Sequence, residues 1–130
     1  MSESGYWKNK GAQQKFKADK HTKQIEFIMS DSGWIKIRDS TPKEDREEKW
    51  DALWLDKFSK EQRVDYKTGS GVQDSHKKLW DKGELKVTRY AMFNPKQRYK
   101  LRMVDARDFW GNNPSRHLNG HRQVYWIEGP

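Results

Sequence analysis

A chain of 130 residues holds one ordinary domain and not comfortably two. Apolar residues at 32%, charged residues at 35% and a mean hydropathy of -1.29 approach the disordered regime, but 7 Trp, 5 Tyr and 5 Phe can build a small aromatic core under a charged surface. The absence of cysteine excludes disulfides and thiolate metal sites, while 27 Lys and Arg against 19 Asp and Glu leave a charge of +8 that favours polyanionic partners.

No stretch approaches the roughly 20 apolar residues of a membrane helix, and MSESGYWKNK has no apolar run behind its charges, as a secretory signal would. The expectation is a protein of the cytoplasm, or of a host cell's cytoplasm, with no membrane partner.

Residues 1 to 24 read as a basic flexible arm, with six Lys against Glu3 and Asp19. Within it Tyr6-Trp7-Lys8-Asn9-Lys10 interleaves rings and cations, which suits stacking plus phosphate contact. A tail without a role is the alternative. The fragment SGYWKN is similar to the starts of some small phage-encoded proteins, and six residues carry no function with them.

Residues 25 to 130 read as a single α+β domain. IEFIM and WIKIRD alternate in hydropathy around Ser30 to Gly33, which predicts a hairpin. In STPKEDREEKW, Thr41 is a good N-cap, Pro42 suits the first helical position, and Glu44 completes a capping box. Trp50, Leu53, Trp54 and Phe58 then recur at helical spacing, so one principal amphipathic helix is expected to run from Pro42 to about residue 58. KTGSGVQD reads as a loop, its GSG lacking the Lys-Ser/Thr ending of a phosphate loop. DSHKKLWDKG reads as a short helix capped by Asp74 or Ser75 and stopped near Gly83.

The stretch TRYAMFNPKQRYKLRM predicts a second hairpin turning at residues 94 to 97. In that register Phe93 faces Arg98, Ala91 faces Lys100 and Arg89 faces Arg102, which collects four cations and one ring on one face. The period of two along strands makes the segregation, and a one-residue slip destroys it. Like charges opposite each other destabilise a sheet unless a polyanion relieves them. From Lys77 to Arg107 there are ten bases and three acids, whereas Asp39 to Tyr66 holds nine acids and six bases. DFWGNNPSRHLNGH reads as an irregular loop in which Phe109 and Trp110 plug the core. HRQVYWIE closes a mostly antiparallel sheet of about five strands.

Two kinds of chemistry can be assembled on paper from the C-terminal loop. His117 and His121 have a spacing known from zinc sites, with Asp105, Asp108 and Glu128 in reach along the sequence for a metal-dependent nuclease. A metal-free nuclease would use the two histidines as acid and base, with Arg116 and Arg122 on phosphate. Asn119-Gly120 opposes a helix that would bring the histidines to one face, and no spacing is diagnostic, so no metal or cofactor is expected.

The function expected first is largely sequence-independent binding of nucleic acid, DNA or RNA. Arg89, Arg98, Lys100, Arg102, Lys8 and Lys10 would contact phosphate, and Phe93, Tyr6 and Trp7 would stack on bases. The alternatives are a protein-interaction module, such as an inhibitor or assembly subunit encoded by a phage or mobile element, and a small nuclease built on the His117 to His121 loop.

Overall fold

The computed structural model of the protein describes residues 20–69, 71–97, 100–119 and 122–126. It is an α+β fold whose main sheet has five strands, mostly antiparallel, with several short helices. Among the described residues no helix is long and apolar enough to cross a membrane.

A helix over residues 20–31 (α1) opens the described chain, where a hairpin strand was expected from residue 25. Ile25 and Met29, four apart, are both buried, while Phe27 between them is 72% exposed. That is the pattern of a helix face and not of a strand. Gly33 ends the helix with φ +95, and Trp34 N–H closes back on the Met29 carbonyl at 3.0 Å. The expected turn is therefore a glycine helix stop.

Strand β1 (Ile35–Asp39) pairs antiparallel with β2 (Ala52–Leu55), with a bulge between Lys36 and Arg38. Between them lies α2 (Pro42–Glu48), whose capping box forms as its sequence predicts. Glu44 N–H donates to Thr41 Oγ1 at 3.1 Å, and Thr41 N–H donates to Glu44 Oε1 at 2.9 Å. The helix stops at Lys49 in the left-handed region instead of running to residue 58. Its seven residues include no buried side chain, so nothing in it anchors a longer helix. Ala52 and Trp54 serve one core and Leu53 between them the other, as alternation along a strand requires, and Trp50, which precedes β2, joins Leu53.

Strand β3 (Glu61–Thr68) pairs antiparallel with β2 and parallel with β5 (Arg89–Asn94). The crossover between them carries β4 (Gly71–Gln73) and α3 (Asp74–Asp81), so a strand begins within the expected loop. Gln73, not Asp74 or Ser75, occupies the N-cap of α3, without a side-chain cap. Gly83 follows the helix with φ +70. Strand β6 (Lys100–Asp105) completes the sheet in the order β1-β2-β3-β5-β6.

The β5–β6 hairpin turns where expected but in another register. Asn94 pairs with Lys100, Phe93 with Leu101, Ala91 with Met103, and Arg89 with Asp105. An odd shift of three residues exchanges the faces of β6. Both faces of β5 are buried, so the sheet has no open side there for a row of cations.

The expected irregular loop folds into α4 (Ala106–Gly111) and β7 (Ser115–Asn119). With β8 (Arg122–Trp126) and β4, β7 forms a second antiparallel sheet in the order β4-β8-β7. The main sheet is thus covered twice. Ile25 and Met29 of α1 pack with Ala52, Trp54, Val64, Ala91 and Phe93 on one face. On the other, Trp50, Tyr90, Met92 and Val104 meet Val72, Phe109, Trp110 and Tyr125. Phe109 and Trp110 are core residues as expected, their rings in an edge contact at 4.8 Å.

Candidate nucleic-acid interface

The hairpin cations do not share one face. Arg89 lies half-buried beside Asp105, to which its Nη1 donates, and it also donates to the Thr88 carbonyl at 3.1 Å. It therefore faces an acid and not Arg102. Lys100 is exposed on β6, and Arg102 is partly buried opposite Met92. Phe93, expected as an exposed stacking ring, is fully buried between Ala91, Trp54 and α1, so it cannot stack on a base. Arg98, Tyr6, Trp7, Lys8 and Lys10 lie outside the described residues.

What survives is a segregation of charge across the sheet. Strand order follows chain order apart from β4, which lies in the second sheet. The acidic stretch from Asp39 to Tyr66 consequently spans β2, most of β3 and α2, while the basic stretch from Lys77 to Arg107 builds β5, β6 and their turn. Strand β6 is an edge, and the side chains of Lys96, Lys100 and Arg102 have no ion-pair partner among the described residues. On the opposite side, Arg38 holds Glu44 through two hydrogen bonds of 2.7 and 3.0 Å. With the cap bonds from Thr41, Arg38 lowers the Glu44 carboxyl to about 2.

A cleft of about 490 Å³ opens at the end of the sheet where β3 and β5 begin and β6 finishes. Its walls are apolar at Trp80, Leu85 and Val87 and cationic at Lys60, Arg89 and Arg107. The Asp105 carboxylate at its rim is engaged on both oxygens. Oδ1 accepts the Arg107 and Asp108 N–H groups at 2.8 and 3.1 Å, which caps α4, and Oδ2 pairs with Arg89.

A second polar cluster has no local signal in the sequence. His76 Nδ1 lies 2.9 Å from the Tyr90 hydroxyl, and Trp110 Nε1–H donates to that same oxygen at 3.1 Å. Because indole only donates, the Tyr90 proton is directed to His76, which places the imidazole hydrogen on Nε2. That nitrogen faces Asp65 Oδ2 at 3.7 Å. The Lys67 ammonium reaches the same oxygen at 2.9 Å, outside hydrogen-bond geometry. Burial drives the Asp65 carboxyl well above the ordinary range and raises Asp51, its hydrogen-bond partner, in the same direction. Burial lowers His76 to about 3, helped by Lys67 and Lys49. The cluster is closed at Asp65, His76 and Tyr90, which expose 5%, 2% and 0% of their surface. It can hold a proton between two carboxyl groups and keep a histidine neutral.

The residues proposed for hydrolytic chemistry are dispersed. His117 is exposed on β7 opposite Val124, Arg116 is exposed beside it, Asp105 caps α4, and Asp108 lies in the first turn of α4. His121 and Glu128 lie outside the described residues, as does the side chain of Arg122. Among the described residues no group of three His, Asp or Glu is placed to hold a metal ion. Compared with family models, curated proteins and solved structures, the chain matches none.

Proposed function

We propose that the protein binds nucleic acid through the β5–β6 half of its main sheet, with little regard to base sequence. The observation that carries this reading is the separation of charge, in which a cationic edge of Lys96, Lys100 and Arg102, without ion-pair partners among the described residues, lies across the sheet from the acidic β2–α2 side. Such a dipolar molecule orients on a polyanion, and phosphate contact by Lys and Arg supplies affinity that falls with salt. Arg98, Lys8 and Lys10 are the further phosphate contacts of this reading, and Tyr6 and Trp7 its stacking rings in place of Phe93.

Fluorescence anisotropy with labelled single-stranded DNA, duplex DNA and RNA at several salt concentrations tests the reading. The three contacts at Lys96, Lys100 and Arg102 predict a log–log salt slope of about -2 to -3, which each further contact steepens by somewhat less than about 1. The K100E/R102E variant should weaken binding by more than about tenfold and flatten the slope by about 2. Absence of binding at low salt, or a K100E/R102E variant that binds as well as wild type, ends the proposal.

A protein-interaction module is the second reading, supported by a different edge. Strand β1 is the other end of the sheet, with Ile35 64% and Ile37 44% exposed and Phe58 of the β2–β3 turn 83% exposed. An edge strand with exposed apolar side chains can take a partner strand. Loss of a co-purifying partner in an I35K/I37K variant, with nucleic-acid binding absent in wild type, would favour it.

A further inference from the structure

We propose that the cleft at the starts of β3 and β5 is a binding site for one nucleotide, its base against Trp80, Leu85 and Val87 and its phosphate against Lys60, Arg89 and Arg107. The volume of about 490 Å³ lies within the roughly 300–1,000 Å³ of small-molecule sites, which combine apolar walls with a few convergent polar groups. Here the apolar groups come from one side, the last turn of α3 and the α3–β5 connection. The cations come from the other three elements at the mouth: the β2–β3 turn, the start of β5 and the start of α4.

Arg89 is the positioned member of the set. Asp105 and the Thr88 carbonyl both take its Nη1, which fixes the guanidinium plane. Its Nη2 and Nε have no hydrogen-bond acceptor among the described residues, and a phosphate offers several. Asp105 does not repel that phosphate strongly, because its charge is balanced by Arg89 and by the two backbone N–H groups it caps. Lys60 and Arg107 are exposed and have no ion-pair partner among the described residues, against Glu61 as the remaining acid of the lining. An indole wall with surplus cations selects a flat aromatic group that carries a negative charge.

The ligand is either a free mononucleotide or one nucleotide of a bound strand, and the second source rests on the nucleic-acid reading above. The cleft lies at the Asp105 end of β6, and the unpaired cations begin at its Lys100 end. A strand following the edge from one to the other would cover about 17 Å.

The experiment is calorimetric titration of the full chain with adenosine monophosphate, with adenosine, and with a short single-stranded oligonucleotide. K60E/R107E is compared with K43E/R46E, which makes the same charge change on α2. Adenosine monophosphate should bind wild type, adenosine more weakly, and K60E/R107E should lose at least about tenfold in affinity while K43E/R46E binds like wild type. Circular dichroism confirms that each variant is folded. Failure of wild type to bind both adenosine monophosphate and the oligonucleotide, or an equal loss in both variants, overturns the site, whereas oligonucleotide binding alone with loss confined to K60E/R107E assigns the cleft to a bound strand. If only the oligonucleotide binds, at equal strength to wild type and K60E/R107E, the cleft assignment falls and the sheet-edge reading stands. If only the mononucleotide binds, with loss in K60E/R107E, the cleft stands and the sheet-edge reading falls.

Discussion

Replacing Tyr90 by Phe removes one oxygen from the centre of the structure and leaves the ring. The edge contact of that ring with Phe109, at 5.5 Å between centroids, is kept, so no cavity beyond the hydroxyl is made. Two buried groups lose their partner, Trp110 Nε1–H and His76 Nδ1. An orphaned buried donor or acceptor costs about 1–3 kcal/mol, so Y90F should lose about 2–6 kcal/mol of stability, a large share of the about 5–15 kcal/mol of a typical domain. Urea unfolding followed by tryptophan fluorescence and far-ultraviolet circular dichroism measures this as a lower midpoint with an unchanged slope. Tyr66→Phe is the internal comparison. The Tyr66 hydroxyl accepts from Trp54 Nε1 at 3.0 Å and donates to Glu26 Oε2 at 2.9 Å. Glu26 keeps Lys36 at 2.7 Å, and Tyr66 is only half-buried, so about 1–2 kcal/mol is expected. A loss in Y90F below about 0.5 kcal/mol, or below that of Y66F, would show that water reaches the cluster and would refute the burial reasoning.

Stability should also depend on pH through two opposed groups. His76 is lowered to about 3, so between there and its ordinary value of about 6.5 the unfolded chain binds a proton that the folded chain does not, and stability rises with pH. Asp65 and Asp51 are raised, so above about pH 4 the folded chain keeps a proton that the unfolded chain releases, and stability falls as pH rises through their folded values. Thermal melts from pH 4 to 8 should therefore show a steeper rise in D65N than in wild type; parallel profiles would contradict the assignment. Thr41→Ala should cost about 1 kcal/mol through the lost cap and raise the Glu44 carboxyl, as a carbon-detected titration can read; an unmoved Glu44 would assign its low value to Arg38 alone. Phe93→Ala should destabilise by about 3–5 kcal/mol as a core truncation. A stable F93A that had lost nucleic-acid binding would restore the exposed-ring reading.

Features set by neighbouring residues were legible in the sequence. The Thr41 to Glu44 box, the helix ending near Gly83, the turn at Asn94-Pro95 and the burial of Phe109-Trp110 all depend on residues a few positions apart. Features set by what covers a surface were not. Ile25, Phe27 and Met29 satisfy a period of two, and Ile25 and Met29 satisfy a period of four. Only the exposure of Phe27 separates the two readings. Trp50, Leu53 and Trp54 fit helical spacing, and Leu53 and Trp54 fit a strand buried on both faces equally well. The β5–β6 register went astray for the same reason, since segregating cations on one face presumes that the face is open. The buried cluster was hidden by separation: Asp51, Asp65, His76 and Tyr90 come from a loop, a strand, a helix and a second strand. Its one trace is Asp65 between Val64 and Tyr66, a carboxylate in the middle of a strand rich in buried residues.

The two cores differ in when the growing chain can finish them. Every buried residue on the α1 side of the sheet, from Ile25 to Phe93, and its flanking Leu101 and Met103, has been synthesised by the end of β6. The other core waits for Tyr125, and β4 at residues 71–73 has no strand beside it until β8 arrives some fifty residues later. During synthesis from the N-terminus the first half can therefore settle while Trp110, Phe109 and the Asp65–His76 group are still wet. Burial lifts the Asp65 carboxyl well above the ordinary range only once that second core closes, which makes proton uptake there a clock for completion of the fold.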